Sequence, residues 1–327
     1  MRGGISDIAK SEWHQDDADH RGVQPFSIGD TSLQIEIMID RGSVSDRPTF
    51  LIINSIDFPI PPSRAFCDLL WAAGYQVIFC RRPGFGNLPG LPAPLLTKDQ
   101  VKNGSAVAAE TALFSMLIKE LGLKDVTLLG LGTSNSICYR LGQLNPEITF
   151  TIFSNPLFHP SIWDVIKPQW LKRMIRQTLL SRSGLKIAVR GLKAVLRRDP
   201  IWFYRQFAQK STGDQEYVSQ NLADFREAGL MLQNISPDTF YYDLQYALVE
   251  DTCWDPEITR QSNAVILSGH QTTAKWKRAI TAEAARLQLP IVFADSGDLF
   301  VAYASRTTLL DIVKARTDQK SKASTTA

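Results

Sequence analysis

The sequence lacks the run of about 18 apolar residues that a membrane-spanning helix needs. It also has no apolar stretch near its start that reads as a secretory signal: residues 1–20 are polar, with Ser11, Glu12, His14, Asp16, Asp17 and Asp19. Cysteine is scarce. Cys67, Cys80, Cys138 and Cys253 are far apart and lie in apolar segments, which excludes a disulfide framework or a zinc cluster and predicts reduced core thiols. Histidine is equally scarce, with four residues, two of them (His14 and His20) in the polar head. No metal and no cofactor are expected. The expected location is cytoplasmic, with a peripheral membrane association left open.

What is present is a 44% hydrophobic chain of 327 residues, enough for one large core carrying an insertion. The net charge of +3 hides a strong asymmetry. Between Lys167 and Lys210, twelve Lys or Arg face one acid, Asp199. Such a local excess speaks of partners more than of fold.

Around Gly29-Asp30, residues 26–39 alternate apolar and polar, as a hairpin with one buried face does. Thr49–Ile53, Gln76–Cys80, Val126–Leu129, Phe150–Phe153, Ala264–Leu267 and Ile291–Ala294 are short continuous apolar runs, as expected of strands covered on both faces. Helical spacing marks Arg64–Ala73, Ala106–Leu121, Ile137–Leu144, Lys275–Leu287 and a last helix from about Ser305. This alternation predicts an α/β fold with a mostly parallel, doubly wound sheet. It stops for about a hundred mostly helical residues after Phe153, which read as a lid inserted over the strand C-termini. The division expected is a disordered polar head (1–22), a core (23–156 and 258–316), a helical lid (157–257) and a disordered tail (317–327).

Two motifs carry a resemblance. Arg82-Pro-Gly-Phe-Gly86 follows a strand, and Val126-Thr-Leu-Leu-Gly-Leu-Gly-Thr-Ser134 forms a strand followed by a tight glycine-rich turn into a helix. With the order of elements, they resemble the α/β-hydrolase family over about residues 26–315. The resemblance implies a nucleophile elbow, an oxyanion loop, an acid loop and a histidine loop at the sheet's C-terminal edge. It also implies that the catalytic positions are degenerate. In the G-x-S-x-G elbow, Gly130 and Ser134 fall on the outer glycines and Gly132 on the nucleophile, where a residue without a side chain cannot attack a carbonyl. Ser134, Ser136 and Thr133 are the nearby hydroxyls. The oxyanion loop reads Asn54-Ser-Ile-Asp57, with the Thr133 amide as the other donor, and Asp57 would bring charge of the wrong sign. Thr272 stands at the acid position, with Asn155 at the alternative one, and Asp298 at the histidine position.

His270 and Asp298 fall on neighbouring loops, which opens a reading as an acid–base pair for lyase, isomerase, cyclase or divergent hydrolase chemistry. The other reading makes His270 a polar loop residue and Asp298 a turn or helix cap. In the lid, Lys186, Arg190, Lys193 and Arg197 recur at helical spacing on one face, with Leu185, Ala188, Leu192 and Val195 opposite. That face suits an anionic membrane surface, a phosphate-bearing ligand or an acidic partner, or else is simply solvated; nucleic acid is not expected. The resemblance places a pocket between lid and core, with Asp57, Leu131, Thr133, His159, Tyr241 and Tyr242 as candidate walls and a hydrophobic or acyl-type small molecule as the expected ligand. A non-catalytic or weakly catalytic binder, a serine-independent enzyme and an interaction protein acting through the basic lid remain the three readings.

Overall fold

The structure, a computed structural model, describes residues 22–56, 58–91, 106–156, 167–179, 181–248 and 263–325. Asp57, His159, Cys253 and the polar head lie outside them. Among the described residues eight strands form one sheet in the order β1-β2-β4-β3-β5-β6-β7-β8. They are β1 (Gln24–Ser27), β2 (Gln34–Ile39), β3 (Thr49–Ile53), β4 (Gln76–Arg81), β5 (Val126–Leu131), β6 (Ile148–Ser154), β7 (Ala264–Gly269) and β8 (Ile291–Ala294). β1 and β2 pair as the expected antiparallel hairpin, and β2 joins β4 antiparallel. From β4 onward every pairing is parallel. The central strands β3, β4 and β5 are buried at every position, which explains their unbroken apolar runs.

The core helices are α1 (Arg64–Ala72), α2 (Val107–Glu120) and α3 (Asn135–Leu144). The Ser63 side chain caps α1 by accepting from the Phe66 amide. Then come the lid helices, inserted between β6 and β7: α4 (Gln169–Leu179), α5 (Arg182–Arg198), α6 (Trp202–Ala208), α7 (Thr212–Gln220), α8 (Leu222–Asn234) and α9 (Pro237–Leu248). The chain closes with α10 (Ala274–Leu287), α11 (Val301–Ala304) and α12 (Arg306–Thr325). α12 continues into the segment expected as a disordered tail, where Gln319, Lys320, Lys322 and Ala323 favour a helix.

One apolar cluster fills the face of the sheet under α2 and α3, and another joins the opposite face to the lid. In the second, Phe225 of α8 lies 4.8 Å from Phe58 and 5.0 Å from Phe300, and Tyr217 of α7 stacks on Tyr303 at 5.9 Å. Such aromatic pairs add about 0.5–1.5 kcal/mol each beyond the area they bury. Cys67, Cys80 and Cys138 are buried and form no disulfide among the described residues, and burial pushes the Cys80 and Cys138 thiols up, away from ionisation.

The basic helix needs one correction. Its buried stripe is Leu185, Val189 and Leu196, whereas Val195 is exposed and Ala188, Leu192 and Lys193 are half-buried. The apolar face is turned by one position because α5 packs against both α8 and α9. Lys186, Arg190 and Arg197 face outward.

Candidate functional site at the elbow

β5 runs two residues further than its apolar run, through Gly130 and Leu131, and ends in a tight turn at Gly132–Ser134 that leads directly into α3. Gly132 sits at the bend with φ +46°, a left-handed conformation that costs an L side chain about 1–2 kcal/mol. The apex of the turn therefore carries no side chain. Its neighbours are committed elsewhere. The Ser134 hydroxyl is buried; it donates to the carbonyls of Ile53 (2.8 Å) and Leu131 (2.9 Å) and accepts from the Leu131 amide. That ties the bend to the end of β3. Asn135 Nδ2 donates to the Gly132 and Ser154 carbonyls. Ser136 is also buried.

Thr133 is half-buried, and its hydroxyl donates to Asp243 Oδ1 at 2.8 Å. Asp243, on lid helix α9, is buried and pairs with Arg82 Nη1 at 2.5 Å. Arg82 is itself buried; its Nε reaches Glu110 Oε2 at 2.7 Å, its Nη1 donates to Thr133 Oγ1 at 3.1 Å, and its guanidinium stands over the Phe85 ring. One arginine thus lies between two carboxylates, directly beside the elbow. The Pro-Gly turn that carries it passes close beneath α9. Gly84 has φ +84°, and a Cβ there would stand 2.3 Å from Thr239 Oγ1. Asn54, just after β3, joins the same construction: its Oδ1 accepts from the Arg82 amide (2.5 Å) and its Nδ2 donates to the Ser55 carbonyl (2.9 Å).

At the far side of the strand ends, Asn155, Thr272 and Asp298 come together. Asn155 Nδ2 donates to Asp298 Oδ1 at 2.7 Å and Thr272 Oγ1 donates to the same oxygen at 2.8 Å, while Ser268 donates to Asn155 Oδ1. Burial raises the Asp298 carboxyl above the ordinary carboxylate range, against the bonds from Thr272 and Asn155 and the charge of Lys210, which lower it. Asp214 at the start of α7 lies next to this loop. It is buried and accepts from the amides of Asp298 (3.0 Å), Leu299 (2.8 Å) and Phe300 (3.2 Å). Burial pushes its pKa up to about 6, with the Asp298 charge adding to the rise and the three amides opposing it.

His270 is not part of this cluster. It is exposed, its ring stacks on Phe293 at 5.3 Å, and it makes no hydrogen bond or ion pair with Asp298 among the described residues. β7 ends in a turn that points the side chain outward while Thr272, two positions on, turns in.

The order of the sheet, the elbow and the lid can be set beside solved structures. A probable hydrolytic enzyme from Pseudomonas aeruginosa is 16% identical, with a TM-score of 0.59 over 89% of this chain and 92% of that one. An epoxide hydrolase from an endophytic Streptomyces is 13% identical, with a TM-score of 0.64 over 93% and 97%. A haloalkane dehalogenase loop variant from Bradyrhizobium elkanii is 12% identical, with a TM-score of 0.58 over 93% and 98%. This chain has the α/β-hydrolase fold. No protein-family model and no curated protein sequence matches it.

Within that fold, Gly132 occupies the bend that follows the fifth strand, Thr272 the loop after the seventh and Asp298 the loop after the eighth. Of the candidate pocket walls, Leu131 is buried, Tyr241 is half-buried on α9, and Tyr242 packs against the core cluster under α2. Asp57 and His159 fall outside the described residues. Sequence reasoning missed Arg82, Glu110, Asp243 and Asp214. Glu110 had a signal: it shares a helical stripe with Val107, Phe114 and Leu117, so an acid on that apolar face needed a buried cation. Asp243, among Phe240, Tyr241 and Tyr242, had the same one.

Proposed function

We propose that this chain is a ligand-binding α/β-hydrolase-fold protein that forms no acyl-enzyme, and that the space between elbow and lid receives a hydrophobic or acyl-type small molecule. The observation that carries this reading is the bare apex at Gly132, flanked by hydroxyls already engaged at Ser134 and Thr133. A nucleophile needs a base within hydrogen-bond reach. Thr133 instead donates to Asp243, a carboxylate already paired with Arg82. The position assigned to the catalytic histidine is Asp298, whose Oδ1 is taken by Thr272 and Asn155. Losing a triad does not remove the cleft that the fold provides between strand ends and lid. Native mass spectrometry of the purified chain tests the binding half of this reading. A co-purified apolar or acyl compound is expected. A chain that carries nothing, and whose melting temperature is unmoved by a series of fatty acids and acyl-coenzyme A esters, would sink it.

A further inference from the structure

The outer surface of the lid hairpin formed by α4 and α5 has a composition that the ligand reading does not use. From Lys167 to Arg198 the chain carries ten Lys or Arg and no acid. Arg173, Lys186, Arg190, Arg197 and Arg198 are exposed and make no ion pair among the described residues. Large apolar side chains stand out among them. Trp170 is 66% exposed, Met174 49% and Ile187 69%. A single exposed apolar residue needs no explanation. Here Trp170 and Met174 are one turn apart on α4, and Arg173 lies between them on the same stripe. On α5, Ile187 and Arg190 share the outward side, opposite the buried Leu185, Val189 and Leu196.

We infer that this surface lies on an anionic lipid bilayer. Cations without acids fit a uniformly negative surface, whereas a protein partner would ordinarily be met by a mixture of signs. Isolated protruding Trp, Met and Ile side chains match the boundary between headgroups and acyl chains, where an indole keeps its N–H wet and buries its ring. A polyanion in solution would use the cations and leave the apolar residues idle. The occupant is therefore a membrane containing acidic phospholipid, reached from above without any spanning segment; among the described residues no helix is long and apolar enough to cross one.

Co-sedimentation with vesicles tests this. The chain should pellet with phosphatidylcholine vesicles containing about a third phosphatidylserine, should stay in solution with phosphatidylcholine alone, and should be released as salt is raised. Lys186→Glu, Arg190→Glu and Arg197→Glu together should weaken binding about a hundredfold or more. Trp170→Ser with Ile187→Ser keeps every charge and should still weaken it about tenfold. All five positions are exposed, so melting temperatures should match that of the unsubstituted chain, and its own salt dependence is read without any variant. Equal binding to neutral vesicles overturns the inference, and so does indifference to the charge reversal. Binding to polyglutamate or duplex DNA as tight as to vesicles, and unaffected by Trp170→Ser with Ile187→Ser, would make the surface a general polyanion site and overturn it as well.

Discussion

The lid is tied to the sheet at two polar seams that use the same side chain in opposite ways. At the elbow, Asp243 of α9 meets a cation, Arg82, which also holds Glu110 and the Thr133 hydroxyl. At the other side, Asp214 of α7 meets three backbone amides and, among the described residues, no cation. Both carboxylates are buried, so each has to replace the water it has lost. The first does so with charge and the second with dipoles. The seam at Asp214 is therefore expected to respond to mild changes of pH. Between the two seams the aromatic contacts of Phe225 and Tyr217 supply attraction that no change of pH alters.

The largest effect should come from breaking the elbow seam. Arg82→Ala leaves Glu110 and Asp243 buried without their cation, and should cost about 3–5 kcal/mol in chemical denaturation. A loss below about 1 kcal/mol would mean that water already compensates these carboxylates. Next comes the pH response of the other seam. The folded pKa of Asp214, about 6, lies above its ordinary 3.8, so the folded state holds this proton more tightly than the unfolded state does. The contribution of Asp214 is thus most favourable below about pH 4 and declines as pH rises to about 6, by as much as about 3 kcal/mol. In melting curves against pH, the unsubstituted chain should lose ground to Asp214→Asn over that window. A constant difference between the two would mean that the fold does not hold the Asp214 proton more tightly.

Gly132→Ala, at the positive φ of the bend, should cost about 1–2 kcal/mol by the same measurement. Thr133→Val should be smaller still, about 1 kcal/mol, since it removes one hydroxyl from a network whose ion pairs remain.

How far the sequence could lead follows from the range of the interactions concerned. Strands with unbroken apolar runs, the hairpin at Gly29 and the helices ending at Gly74 and Gly122 are local, and they were legible. So was the placement of Gly132 at the bend, because a tight turn needs particular residues in a fixed order. The seams were not legible. Ser211 and Asp214 match a local capping pattern, and Ser211 does accept from the Asp214 amide, but the carboxylate reaches amides 84 to 86 residues away. Asn155 read only as a missing acid, yet its amide bonds both Ser268 and Asp298. His270 and Asp298 belong to adjacent loops, as expected. Whether they face each other depends on how each loop leaves its strand, and one side chain turns out while the other turns in.

The most direct measurement is the intact mass of the purified chain after exposure to a fluorophosphonate, which captures hydroxyls activated for acyl transfer. With a glycine at the apex the mass is expected to stay unchanged, at every pH where the fold is intact. A stoichiometric adduct that maps to Thr133 or Ser136 would contradict the account.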